Sequence, residues 1–316
     1  MATRRLATVF GGTGFIGRHL IARLARLDYE VRVVTRHAEA VRPLMTQGNV
    51  GQVVAVRADL NDDAGLARAV QGASLVASLI GILAEPRRGD FQRLQGALPG
   101  RIGRAAAAAG VPALVHVSAI GADPASPSAY ARSKAAGEAG LLAAFPRAVI
   151  LRPSIVFGPD DKFFNRFAGM AQLLPFMPVV SGATRFQPVF VGDVAEAVLA
   201  AARRPAAAGQ VFELGGPRVA SFRELMGYVL EVTGRPKRLI ELPPGLVRLQ
   251  ARLGELLPNP PLTRDQLILL GRDNVVGPGA KGFAELGIAP QAMEAIVPGY
   301  LTRFRPGGGR RAAYPA

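Results

Sequence analysis

The chain has 316 residues, 49% of them hydrophobic, with a formal charge of +15 and a pI near 11.3. That is enough apolar material for one large domain or two closely packed ones, which excludes a disordered chain. There is no cysteine, and the three histidines (His19, His37 and His116) lie far apart, so disulfides, thiolate chemistry and Cys-ligated clusters are excluded and no metal site is expected.

The basic excess calls for an anionic partner: nucleic acid, anionic lipid or an acidic protein surface. Aromatics are 6% of the chain and the arginines are scattered, which is not the pattern of a nucleic-acid-binding module, so no nucleic acid is expected. No window reaches the ~18 to 20 apolar residues that span a bilayer, so the chain is expected to be soluble or peripheral. With a first strand starting near Leu6, the segment Met1 to Arg5 is too short for a leader peptide, and the bacterial cytoplasmic side is the expected location.

Leu6 to Phe10 is a short apolar run, followed by a glycine-rich turn and then Phe15, Ile16, Leu20, Leu24 and Leu27 at helical spacing. Further short strands are expected at Val31 to Thr35, Val53 to Ala58, Leu75 to Ile80, Leu114 to Ser118 and Ala148 to Leu151, separated by helix-length segments. Strands alternating with helices predict an α/β fold: a Rossmann-like parallel sheet with helices on both faces. After Pro153 the alternation stops, and Gly158 to Pro188 reads as loops and short irregular elements. Val189 to Val191 and Val211 to Leu214 are expected as strands returning to the main sheet, with a helix from Asp193 to about Ala202 between them. Ser221 and Glu224 form a capping-box pattern that opens a helix to about Thr233. Leu246, Val247, Leu249, Leu253, Leu256 and Leu257 form an apolar stripe opposite Arg248 and Arg252, expected to pack on the protein's own core or, as the alternative, to dock on a membrane or partner. These features predict a nucleotide-binding domain over 1–155, receiving strands near 189–214, a smaller C-terminal cleft or docking region over 156–302, and a mobile basic tail over 303–316.

The turn Gly11-Gly12-Thr13-Gly14-Phe15-Ile16-Gly17 satisfies both GxGxxG and GxxGxxG at a strand-to-helix junction, where glycines let the backbone approach a pyrophosphate at a helix N-terminus. The second strand ends at Thr35-Arg36, where an NAD site usually carries an acid for the ribose 2′-hydroxyl. Arg36 and Arg18 can instead pair with a 2′-phosphate, which favours NADP(H). Asp59 and Leu60 are placed to contact adenine, and Gly81 lets the backbone approach the cofactor. Pro153 and Ile155 complete the candidate cofactor contacts. Tyr130-Ala131-Arg132-Ser133-Lys134 puts a phenol and an ammonium on one helix face, a pair suited to proton exchange with a carbonyl or alcohol.

These residues resemble the extended and atypical short-chain dehydrogenase/reductase superfamily. Its third catalytic member is a Ser or Thr after the strand before YxxxK, which makes Ser118 the candidate. In extended members the hydroxyl usually lies about two residues later, where this chain has Ile120, so a vestigial triad is the alternative. Arg152 to Asn165, Gln187 to Val194 and Pro261-Leu262-Thr263-Arg264-Asp265-Gln266 further resemble the NADPH-binding accessory subunits of respiratory complex I and their bacterial relatives. That resemblance implies a mainly structural nucleotide, the other complex I subunits and an anionic membrane surface as partners, and a peripheral place on the cytoplasmic face of a bacterial inner membrane (the matrix side in a mitochondrion). The alternatives are a free-standing NADPH-dependent reductase, dehydrogenase or epimerase and, less favoured, a nucleotide sensor without chemistry.

Overall fold

The computed structural model describes residues 5–255 and 262–308. Two compact units emerge. The first comprises residues 1–153, 191–214 and 277–289, and the second comprises 154–190, 215–276 and 290–316, within the described residues.

The first unit is a seven-stranded parallel sheet. Its strands are β1 (Leu6–Phe10), β2 (Glu30–Thr35), β3 (Val53–Arg57), β4 (Leu75–Ser78), β5 (Leu114–Val117), β6 (Val149–Pro153) and β7 (Val211–Leu214). They lie in the order β7-β6-β5-β4-β1-β2-β3, so the chain reverses direction across the sheet between β1 and β4. The carboxyl ends at such a switch point form the usual ligand crevice of an open α/β sheet. Strand interiors read as continuous apolar runs because both faces are covered.

The helices are α1 (Phe15–Arg26), the single turn α2 (Arg42–Met45), α3 (Asp63–Val70), α4 (Leu98–Ala108), α5 (Ala129–Ala144), α6 (Phe164–Leu173), α7 (Val191–Arg203), α8 (Phe222–Val232), α9 (Pro244–Gly254), α10 (Arg264–Leu270) and α11 (Met293–Leu301). Helices α1 and α7 pack together, while α3, α4 and α5 form a separate layer. The core under that second layer joins Leu66, Val76, Leu98, Ile102, Leu114 and Leu141. Helix α5 approaches α4 closely because small residues line the contact: a Cβ at Gly100 would sit 3.0 Å from the Gly140 carbonyl oxygen.

Several expectations require correction. Val211–Leu214 joins the main sheet as β7, but Val189–Phe190 pairs instead with Val156–Phe157 in a two-stranded sheet of the second unit. The stretch Gly158 to Pro188, expected as irregular, contains the ten-residue helix α6, whose Phe164, Ala168 and Ala171 point inward at i, i+4 and i+7. Ser221 and Glu224 do form the capping box of α8.

The described part of the apolar stripe of α9 faces the core only in part. Val247 and Ala251 are buried, whereas Leu246 and Leu249 are 55% and 54% exposed. The smaller pair lets the helix sit close, and the larger leucines are left outside. The side chain of Leu253, together with Leu256, Leu257, Pro261 and the tail beyond Gly308, lies outside the described residues. The start of the expected tail is ordered within the second unit: Arg303 donates to the Asn165 side chain at 2.6 Å, and Arg305 donates to the Val232 carbonyl at 2.8 Å.

Candidate functional site: a glycine cradle and a buried polar layer

The first part of the site is the turn between β1 and α1. Gly11 takes φ +79°, and a Cβ there would lie 3.0 Å from the backbone of Leu79, so only glycine fits where the turn passes the end of β4. Gly17 packs its helix onto the turn itself, since a Cβ would come within 2.5 Å of the Gly11 carbonyl oxygen. Gly12 is buried against Val33 and Ile21, while Thr13 and Gly14 form the exposed lip and Phe15 and Ile16 are half-buried at its back.

Helix α1 opens at Gly14 with no side-chain cap and no acid in its first turn. Side chains cap α3, α5, α8 and α10, from Asp62, Ser128, Ser221 and Thr263, whereas α4, α6 and α11 share the bare start of α1, which alone among them follows the glycine turn at the end of β1. The first N–H groups of a helix carry partial positive charge and need partners, so the bare end of α1 suits an anion.

The adenosine side follows from β2 and β3. Arg36, the residue after β2, is exposed and makes no ion pair among the described residues. Arg18 sits half-buried in the first turn of α1. Asp59 is exposed, and its Oδ1 accepts from the backbone and side-chain nitrogens of Asn61, both at 3.0 Å. Leu60 is half-buried against the core, and its carbonyl accepts from Arg101 at 2.6 Å.

The third part is a buried polar layer between the sheet and α5. Lys134 is 4% exposed, with Nζ donating to the Val117 carbonyl at 3.5 Å and lying 5.9 Å from the centroid of the Tyr130 ring. Burial pulls the Lys134 ammonium down to about 8, with the Glu138 carboxylate acting in the opposite direction. Tyr130 is half-buried and stacks edge-on against Phe91 at 5.8 Å. Gly81 borders Lys134, because a Cβ there would stand 3.3 Å from Nζ and 3.4 Å from Gln95 Oε1.

Ser118 follows β5 directly. Its Oγ is buried and has no hydrogen-bond partner, and the same is true of His116 Nε2. His116 Nδ1 lies 3.1 Å from Ser78 Oγ across the β4–β5 pairing. Burial, with the Lys134 charge adding to it, pushes His116 down to about 3, so its imidazole is neutral at neutral pH.

Gln95 and His116 escaped the motif-based reading. Gln95 lies on a π-helical stretch, Gln92–Ala97, that leads into α4. Its Oε1 accepts from Ile82 N at 3.1 Å, and its Nε2 donates to Ser133 Oγ at 3.2 Å. A π-turn marks many functional sites, but no periodicity in the sequence announces it. Pro153 ends β6 and accepts from Ile120 N at 3.1 Å, whereas Ile155 belongs to the second unit and packs in its core. Ile120 is buried and its hydrocarbon side chain has no hydroxyl to offer at the position expected to carry one.

A dinucleotide fits these residues: the cradle has no side chains in its way, the helix end is uncapped, and Ser118 Oγ is buried without a partner. The comparisons with known proteins agree. The profile of the NAD dependent epimerase/dehydratase family matches residues 7–215. NADH dehydrogenase (ubiquinone) 1 alpha subcomplex subunit 9, mitochondrial, of Mus musculus is 34% identical over 304 residues, covering 95% of this chain and 80% of its own. The Arabidopsis thaliana protein of that name is 32% identical, covering 96% and 79%.

The chain belongs to the NAD dependent epimerase/dehydratase family, in its subunit 9 branch.

That membership makes a nicotinamide dinucleotide the cofactor class. A ceramide reductase of Caulobacter vibrioides is 33% identical over 78% of this chain and 77% of its own, so the family likeness also reaches an enzyme. In fold, the NADPH-dependent quinone oxidoreductase QOR2 of Escherichia coli superposes with a TM-score of 0.74 at 18% identity, covering 93% of this chain and 99% of its own. Among the described residues no helix is long and apolar enough to cross a membrane.

Proposed function

We propose that this chain is an accessory subunit of respiratory complex I that holds NADP(H) chiefly as a structural element, on the cytoplasmic face of a bacterial inner membrane. The observation that carries the assembly role is the extent of the likeness. Subunit 9 proteins of mouse and Arabidopsis match it over 95% and 96% of its length, beyond the dinucleotide fold and into the second unit.

Gly11, Gly12, Thr13, Gly14, Phe15, Ile16 and Gly17 would hold the pyrophosphate, and Arg36 with Arg18 would pair with a 2′-phosphate. Asp59, Leu60 and Gly81 would line the adenine and the approach to the nicotinamide, with Lys134 and Pro153 completing the contacts. A ligand that binds only the folded chain stabilises it in proportion to its concentration over Kd, so the nucleotide need not turn over to matter. The exposed Leu246 and Leu249 of α9, flanked at helical spacing by the exposed Arg248 and Arg252, suit an anionic lipid surface. Loss of binding to anionic vesicles at low salt would remove that last element.

The second reading is an NADPH-dependent reductase, and one arrangement favours it. Tyr130, Lys134 and Ser118 all line the end of the sheet at β5 and α5, and the ceramide reductase relative is an enzyme. A bound nicotinamide supplies or accepts hydride. Tyr130 would move the proton at the substrate oxygen, Ser118 Oγ would orient that oxygen, and Lys134 would fix the tyrosine and the ribose. Mild-detergent extraction of native membranes separates the two. Migration with NADH:ubiquinone oxidoreductase activity supports the subunit, whereas a soluble chain that oxidises NADPH with a small carbonyl substrate supports the reductase.

A further inference from the structure

Lys134 is not the end of the buried charge in the first unit. One helical turn further along α5 lies Glu138, 5% exposed, and Arg152 of β6 grips its carboxylate with Nε at 3.0 Å and Nη2 at 2.6 Å. The remaining nitrogen, Arg152 Nη1, stands 3.6 Å from Glu213 Oε1 on β7. Glu213 in turn reaches out of the sheet: its Oε2 accepts from Gly277 N at 2.8 Å, and its backbone N–H donates to the Lys281 carbonyl at 2.8 Å. Gly277 opens and Lys281 follows in the segment 277–289 of the first unit, which these bonds hold against β7, the edge strand of the sheet.

The four side chains alternate in sign, with two cations and two carboxylates. The set is neutral only while Lys134 is protonated. Lys134 and Glu138 are buried and Arg152 and Glu213 half-buried, and charges taken even partly out of water cost free energy that apolar residues of similar size would not, so packing alone does not account for this chain of charges. Lys134 meets only a long contact at the Val117 carbonyl, which leaves N–H donors for ribose hydroxyls.

We propose that Glu138, Arg152 and Glu213 are positioning residues that couple nucleotide occupancy at Lys134 to the anchoring of the segment 277–289 on β7. The coupling rests on the reading that Lys134 holds the nucleotide. Occupancy fixes the ammonium, whose charge lies one helical turn from Glu138 on the same face of α5, and the Glu138–Arg152 pair sets the charge that Glu213 faces while it grips the Gly277 amide. The segment is thereby firmer with nucleotide than without it. A nucleotide kept for structure then has a defined place where its presence is felt, away from the glycine cradle.

Hydrogen–deuterium exchange on the full chain, with and without saturating NADPH, tests this. In the wild type NADPH slows exchange in both residues 11–17 and residues 277–282, the latter by about five-fold or more. In Glu138→Gln the cradle stays protected at saturation while the slowing at 277–282 is lost. Glu213→Gln, which leaves the Glu138–Arg152 pair intact, shows the same loss and serves if the first variant folds poorly. Arg152→Lys keeps the charge and restores part of the effect. Equal protection of 277–282 in the wild type and Glu138→Gln would overturn the coupling, as would a protected cradle with an unresponsive 277–282 in the wild type. An unprotected cradle in the wild type would instead overturn the nucleotide reading, and the coupling with it.

Discussion

Two buried polar sites, one in each unit, are served in opposite ways. In the second, Asp161 is 4% exposed yet fully served: Oδ1 accepts from Phe163 N and Asn165 N, and Oδ2 accepts from Gly158 N and from the Tyr300 hydroxyl at 2.5 Å. Around it lies a cluster of Phe157, Phe163, Phe164, Phe167, Phe186 and Phe222, mostly edge-on. In the first unit, Ser118 Oγ and His116 Nε2 have no partner, and Lys134 has one long contact. Buried polar atoms are nearly always paired, so a satisfied carboxylate belongs to architecture, and a set of unsatisfied groups at a sheet's carboxyl end points to a ligand.

That contrast can be broken most forcefully at Phe164, a fully buried ring. Phe164→Ala is expected to lower stability by about 3–5 kcal/mol while leaving NADPH affinity within about two-fold, as read by denaturant unfolding and by titration calorimetry. Lys134→Met should do the reverse. Burial lowers the Lys134 ammonium from 10.5 to about 8, so below pH 8 the folded chain carries a buried charge at a cost on the order of 3 kcal/mol. Between pH 8 and 10.5 the folded group sheds its proton while the unfolded one keeps it, so wild-type stability rises with pH there. The methionine variant should be more stable without nucleotide at pH 7, lack that rise, and lose its gain from NADPH.

His116 sharpens the acid side. Its folded value of about 3 lies below the ordinary 6.5, so the unfolded chain takes up a proton first as pH falls, and stability is lost from pH 6.5 downward. Between pH 6.5 and 5 the loss is about 2 kcal/mol, and His116→Leu should flatten that limb in unfolding measured across the window. Arg36→Ala should weaken NADPH by about ten-fold or more and leave NADH nearly unchanged, because only the former presents a 2′-phosphate. The smallest effect on stability, within about 0.5 kcal/mol, is expected for Leu246→Ser with Leu249→Ser, both exposed. The same pair should lose binding to anionic vesicles in a flotation assay.

The sheet was legible because apolar runs, glycines and Tyr–Lys spacing are local signals. All seven strands stand where runs of β-branched and apolar residues predict them. Val189 was misplaced because a short apolar run does not say which sheet it joins. Helix α6 was hidden among prolines and glycines, although Phe164, Phe167, Ala168 and Ala171 carry a helical period. The stripe of α9 was legible only in part because size and burial part company there: Val247 and the small Ala251 are inside, while Leu246 and Leu249 are out. Gln95, His116, Glu138 and Glu213 had no motif, and Arg152 stood only at the head of a resembling segment, since their meaning lies in contacts between residues 13 or more apart in the chain.

In the proposed function the nucleotide is held rather than consumed. That is tested most directly by measuring the nucleotide content of this chain in detergent-solubilised complex I, before and after a complete round of NADH-driven quinone reduction. One NADP(H) per chain, unchanged in amount and redox state, is the predicted result. A chain absent from the complex, or one whose nucleotide is oxidised and exchanged during turnover, would contradict it.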